Sequence, residues 1–314
     1  MKALVFEDGD AQLADRPDPT LPDGWVTLRP LVCGVCNTDL EIVRGYMGFA
    51  GTLGHEVVAE VLDGPRRGER VTCEINFACG QCAACAQGMG RHCPHRSVLG
   101  ILNQDGVFAE RMVAPPENLH AVPEVLESDR AVFVEPLAAA FEILEQVHLA
   151  PGTEALVLGD GKLGMLIAQV LRVAGAQVLA VGKHDEHLAI LRSRGIETVL
   201  LDDWDRTARP LVVEATGTAT GFELAMAATR PRGTLVLKST VADRPAVDLA
   251  PLVIHEIRVV GSRCGPFAPA VAALADGRIE VAPMVAGRYS LAQGTAALEH
   301  AGRRGTLKVL IDPS

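Results

Sequence analysis

The sequence has no basic excess, no export signal, no long apolar run and no internal repeat or low-complexity tract. Its formal net charge is −10 and its pI about 5.4. A chain this acidic offers no basic face to nucleic-acid phosphates, and none to an anionic membrane surface. The opening residues, MKALVFEDGDAQLADRP, carry acids and lack an apolar core, unlike a signal peptide. No stretch approaches ~18 uninterrupted apolar residues, so no membrane span is expected. These absences predict a cytoplasmic protein whose thiols meet a reducing medium. What remains is ordinary globular material. Apolar residues at 48% exclude a disordered polar chain, and 314 residues suffice for two hydrophobic cores.

Cysteine is sparse and unevenly spread. Of eight, four lie in CGQCAACAQGMGRHC, residues 79 to 93. In a reducing compartment such a cluster binds metal or does redox work more often than it forms disulfides. The short spacings of Cys79, Cys82, Cys85 and Cys93 let one tight loop aim its sulfurs at a single ion. Gly80, Gly88 and Gly90 permit the turns this wrapping needs. Four thiolates complete a tetrahedron and leave no position for substrate, which predicts a structural zinc. His92 and His95 are expected at the surface. An iron–sulfur cluster or a redox relay would draw on the same thiols.

Upstream, CGVCNTDLEIVRGYMGFAGTLGHEVVAEV (residues 33 to 61) brings Cys36, His55 and Glu56. A thiol, an imidazole and a carboxylate suit a catalytic zinc, where three protein ligands leave a fourth position for water or substrate. The spacing alone also suits an ordinary turn histidine.

After residue 150 the pattern changes. EALVLGDGKLGMLIAQVLRVAGAQVLAVG reads as strand, glycine-rich turn, helix and second strand. Gly159, Asp160, Gly161, Lys162, Leu163 and Gly164 match G-x-G-x-x-G. The first glycine allows the turn, the second lets the backbone approach a pyrophosphate, and the third lets helix pack on strand. The helix N-terminus then faces the phosphates. An acid at the end of the second strand would bind a ribose 2′-hydroxyl and repel a 2′-phosphate. Gly182 stands there, with Lys183 and His184 next. Open space and positive charge favour NADP(H) over NAD(H); Asp185 would reverse this if the loop were shifted. The later strands in PLVVEATG and GTLVLKST bring Thr216, Gly217, Lys238, Ser239 and Thr240 near the cofactor, although Lys238 also reads as a surface lysine.

CGVCNTD, LGHE, the four-cysteine lobe, VEPLAAA and the glycine-rich turn occur in the order found in zinc-containing medium-chain alcohol dehydrogenases, which the chain resembles over nearly its whole length. The resemblance implies an α/β fold: a GroES-like β-rich catalytic domain (1–135 and 264–314, with the lobe at 79–93) split around a Rossmann doubly wound parallel sheet (136–263). It implies two Zn2+ per chain, one on Cys36, His55 and Glu135, with Glu56 entering its ligand set transiently. Thr38 would hydrogen-bond the substrate oxygen, and Asp39 would orient His55. Cys33 has no matching role and reads as a buried thiol. Many relatives carry His where this chain has Glu41, so the outer end of the proton relay passes to Glu41 or is lost. Relatives are usually dimers or tetramers, which implies a homo-oligomer.

The function expected is hydride transfer between an alcohol and a nicotinamide cofactor. Tyr46, Met47, Phe49, Leu99 and Phe108 are candidates for an apolar pocket wall, although each also reads as plain core packing, where large apolar residues usually sit. Asn37 and Glu41 point instead to a polyol or sugar. A non-catalytic nucleotide-binding protein on the same fold is a third reading, opposed by the complete ligand set.

Overall fold

The computed structural model describes residues 1–239 and 247–313. By contacts it divides into Met1–Glu135 with Ala270–Ser314, and Pro136–Pro269.

The first unit is β-rich. Its larger sheet is built on the strand Val26–Val35, whose β-branched residues suit a pleated, buried surface. That strand pairs antiparallel with Glu56–Val61 on one side and Lys308–Asp312 on the other. The order runs Leu119–Ala121, Arg70–Cys73, Glu56–Val61, Val26–Val35, Lys308–Asp312, Val285–Ser290, with Met112–Ala114 also on the central strand. A smaller sheet joins Asp10–Asp15, Lys2–Glu7 and Gly51–Thr52. The last strand thus comes from the C-terminal segment. It brings residues near 308 beside residues near 34 and 56.

The second unit is a six-stranded parallel sheet in the order Glu197–Leu200, Gln177–Gly182, Glu154–Leu158, Arg209–Glu214, Thr229–Leu237, Arg258–Gly261. This is the doubly wound Rossmann order. The runs ALVL, VLAV and LVV are buried throughout, as strands covered on both faces should be. The helix Lys162–Val173 buries Met165, Leu166, Ile167, Val170 and Leu171. Residues Leu156, Leu179, Trp204, Val212 and Leu235 share one core. No helix among the described residues is long and apolar enough to cross a membrane.

Candidate functional site

Cys36 closes the strand Val26–Val35 and opens the helix Asn37–Val43. One turn on, buried Asp39 uses both carboxylate oxygens. Oδ2 accepts the backbone N–H of Cys36 at 2.8 Å, and Oδ1 meets Nδ1 of His55 at 3.0 Å. A carboxylate on Nδ1 fixes the ring and leaves Nε2 as its donor atom. The turn before His55 is held by packing: Gly54 has φ +93°, and a Cβ there would lie 2.5 Å from the Phe108 ring. Cys36, His55 and Glu56 each offer a donor atom within 4.8 Å of the others.

Glu56 is fully buried and ion-paired with Lys308, itself 1% exposed. Gly34, opposite Glu56 in register, provides the room, since a Cβ there would collide with Glu56 Oε2. The Lys308 ammonium also lies 5.6 Å from the centre of the Phe133 ring. Burial pushes its pKa down, but Glu56, Cys36 and Glu135 outweigh this and hold it above the ordinary value. Burial likewise opposes protonation of His55, while Asp39 and Cys36 raise its pKa well above the imidazole norm. Both shifts report a buried site with more anionic than cationic groups. Glu56 Oε1 is buried without a hydrogen-bond partner, an expensive state unless a cation meets it. Donor chemistry, excess negative charge and the orphaned oxygen all fit a divalent metal such as zinc.

In the lobe, Cys79 and Cys93 sulfurs lie 3.5 Å apart, Cys82 and Cys85 3.5 Å, Cys82 and Cys93 3.7 Å, and Cys79 and Cys85 4.0 Å. A disulfide needs about 2.05 Å, and all eight cysteines are free. Sulfurs around a tetrahedral zinc, each at about 2.3 Å, stand about 3.8 Å apart, so the four fit that ion. The N–H groups of Cys79 and His95 point at the Cys93 sulfur, at 3.5 and 3.3 Å, and the first of these leads in lowering its pKa. Gly80 and Gly88 take positive φ; Gly90 does not.

At the glycine-rich turn, a Cβ on Gly159 would lie 2.5 Å from the Ala215 carbonyl, and one on Gly164 would strike the Gly159 carbonyl. A Cβ on Gly161 would meet nothing within 4 Å. Two glycines are therefore demanded by packing, and the third keeps open space at the N-terminus of the helix Lys162–Val173, as a phosphate approach requires.

Two family models match the chain: the alcohol dehydrogenase GroES-like domain over residues 22–124 and the zinc-binding dehydrogenase over 163–276. The L-threonine 3-dehydrogenase of Streptomyces coelicolor is 32% identical over 99% of both chains. The sorbitol dehydrogenase of Halalkalibacterium halodurans is 27% identical over 100% of this chain and 99% of its own. Among solved structures, one assigned as a zinc-binding dehydrogenase of Sinorhizobium meliloti 1021, bound to NADP, superposes with a TM-score of 0.90 at 25% identity, covering 99% of each chain. This chain belongs to the zinc-containing medium-chain dehydrogenases.

Within this dehydrogenase the sequence-predicted residues fall unevenly. Cys36, His55 and Glu56 converge, while Glu135, buried at the start of the helix Val134–Gln146, stands outside that set of donor atoms. Thr38 Oγ1 is 3.8 Å from Cys36 Sγ. Glu41 accepts from Arg44 at 2.6 Å in a largely exposed pair, which turns it to the surface. Leu99 and Phe108 are fully buried and take the core reading, Phe49 is also buried, and Met47 is 49% exposed. Cys33 is buried and His92 and His95 exposed, as expected.

In the second unit, Thr216 is organised by Glu214, whose Oε1 accepts its N–H and hydroxyl at 2.7 and 2.6 Å. Gly217 N–H donates to Ser239 at 2.8 Å. Lys238 is neither a surface lysine nor turned to a ligand. It is buried, and its ammonium donates to the carbonyls of Ala139 and Arg263 and to Ser262 Oγ. Thr240 lies outside the described residues. The space expected over Gly182 is filled by the Asp160 side chain. Lys308 and Asp160 escaped the sequence reading. The one is 252 residues from its partner; the other looked like a filler between glycines.

Proposed function

We propose that the enzyme oxidises a hydroxyl of a small polyol or related alcohol with a nicotinamide dinucleotide, using a zinc held by Cys36, His55 and Glu56, the donor set that converges, with Glu135 brought in only if its carboxylate moves toward that set. A second zinc sits in the cage of Cys79, Cys82, Cys85 and Cys93. The observation that carries the reading is the buried Cys36–His55–Glu56 donor set with its orphaned Glu56 Oε1.

When bound, the zinc supplies Lewis acidity toward the substrate hydroxyl and the nicotinamide supplies the hydride acceptor. The chain does the rest. Asp39 locks His55 in one tautomer and ties it to the backbone of Cys36. Thr38 Oγ1, beside the Cys36 sulfur, accepts the hydrogen bond of the substrate hydroxyl and, as it takes that proton, releases its own hydroxyl proton to solvent. Lys308 holds the Glu56 carboxylate and balances part of its charge. The turn at Gly161 leaves the pyrophosphate a place against backbone N–H groups. Glu41, paired with Arg44, takes no proton in this reading.

A polyol is preferred to an apolar alcohol because Leu99 and Phe108, two of the apolar candidates, are spent on the core. The full-length relation to a sorbitol dehydrogenase points the same way. The test is metal content with reduced-cofactor formation on a panel of alcohols and polyols. Two zincs per chain and polyol-dependent turnover are expected. One zinc and no turnover with any substrate would refute the catalytic-zinc reading.

A further inference from the structure

We propose that Asp160, inside the glycine-rich turn, selects the dinucleotide and makes the site one for NAD(H) and against NADP(H). The inference rests on the reading that this turn binds a nicotinamide dinucleotide.

The acid that the end of the second strand lacks is supplied from another part of the chain. The Asp160 carboxyl crosses to the end of Gln177–Gly182, where Oδ2 accepts the backbone N–H of Lys183 at 2.8 Å and of His184 at 2.6 Å. The same oxygen meets Nδ1 of His184 at 3.1 Å. His187 supports the turn through its Nδ1, 3.0 Å from the Asp160 carbonyl. Asp160 is 7% exposed. A Cβ built on Gly182 would lie 2.5 Å from Asp160 Cβ, Cγ and Oδ2. Gly182 is small because Asp160 lies on it, and the room is already taken when a 2′-phosphate would need it.

Two consequences follow for a bound ribose. A carboxylate at this strand end accepts from the 2′-hydroxyl and repels a 2′-phosphate. The carboxyl's hydrogen bonds fall on Oδ2, which leaves Oδ1 for that acceptance. Moreover, the groups that would hold a 2′-phosphate are turned to Asp160 instead: the N–H of Lys183, the N–H of His184 and the His184 ring. Lys183 is exposed, and its charge is screened by water. Asp160, His184 and His187 also have donor atoms within 4.8 Å of one another. With three N–H groups on Oδ2 and the His187 ring on a carbonyl, they form a hydrogen-bonded bracket.

The experiment is titration of the purified enzyme with NADH and with NADPH, followed by dinucleotide fluorescence. The wild type should bind NADH at least about tenfold tighter, since like charges in contact are strongly disfavoured. Asp160→Asn keeps an acceptor oxygen for the two N–H groups but removes the charge. It should cut the NADH-over-NADPH ratio at least about tenfold, mainly through tighter NADPH binding. Asp160→Gly combined with Gly182→Asp moves the acid to the strand end and should restore the NADH preference; it decides the matter if Asp160→Asn fails to fold. Equal or tighter NADPH binding by the wild type, an unchanged ratio in Asp160→Asn, or no NADH preference in the double variant would overturn the inference while leaving dinucleotide binding intact. Absence of binding by either dinucleotide would overturn the underlying reading, and this inference with it.

Discussion

In the lobe 79–93, four sulfurs from fifteen consecutive residues face one another across 3.5 to 4.0 Å. Around Cys36, a thiol, an imidazole and a carboxylate converge from two elements. They are braced by Asp39 on the next helix and by Lys308, which enters from the last strand of the chain. The first arrangement is closed and locally encoded, and every donor is of one kind. The second is mixed and keeps an unsatisfied oxygen, Glu56 Oε1. In the proposed reading this contrast separates holding the protein up from doing chemistry: a cage needs only its ligands, whereas a reactive site needs its ligands held by other residues.

The sharpest way to break the comparison is to remove one ligand from each. Cys82→Ser should unfold the lobe and sharply lower the melting temperature, because structural zinc binding contributes folding free energy on the order of 10 kcal/mol. A calorimetric melt that did not move would deny the cage its supporting role. Cys36→Ser should instead lower kcat by at least about a thousandfold, near 4 kcal/mol of barrier, with dinucleotide affinity and melting temperature nearly unchanged. Full turnover in that variant would remove Cys36 from the chemistry.

A smaller effect is expected at the brace. Lys308→Met leaves Glu56 buried without its partner and should cost about 3 kcal/mol of stability, read by denaturant unfolding. Pairing it with Glu56→Gln should recover part of the loss, and no recovery would mean that the two residues do not act as a pair. Asp39→Asn frees the His55 ring and should cost about 10–100-fold in metal affinity or kcat, measured by zinc competition with a chromogenic chelator. Replacing both His92 and His95 by Ala should leave two zincs per chain by elemental analysis. A loss there would redraw the cage with imidazole ligands.

What the sequence disclosed follows the same division. The lobe and the glycine-rich turn are readable because their partners are neighbours in sequence and their spacing is itself the geometry. The parallel strands are readable as short apolar runs separated by polar turns. Lys308 was not readable, because nothing near it marks the strand pairing that brings it to Glu56. Leu99 and Phe108 could not be sorted between pocket and core, since an apolar side chain looks the same in either place. Neither the near-cofactor nor the surface reading of Lys238 foresees its burial, because a lysine in a strand-end turn is usually exposed. Here carbonyls from elsewhere in the unit capture its ammonium. Of the two fates open to the relay's outer end, passage to Glu41 or loss, the pairing of Glu41 with its i,i+3 neighbour Arg44 favours loss, and nothing in the sequence marks that pairing.

The crowding of Asp160 against Gly182 also bears on mutational history. The two positions are epistatic: the effect of a change at either depends on the other. An acid introduced at 182 first meets the Asp160 side chain at 2.5 Å. Loss of Asp160 first strips the N–H groups of Lys183 and His184 of their acceptor. Moving the acid from 160 to 182 therefore calls for both changes together. Residue 182 is small for the sake of a neighbour 22 positions earlier.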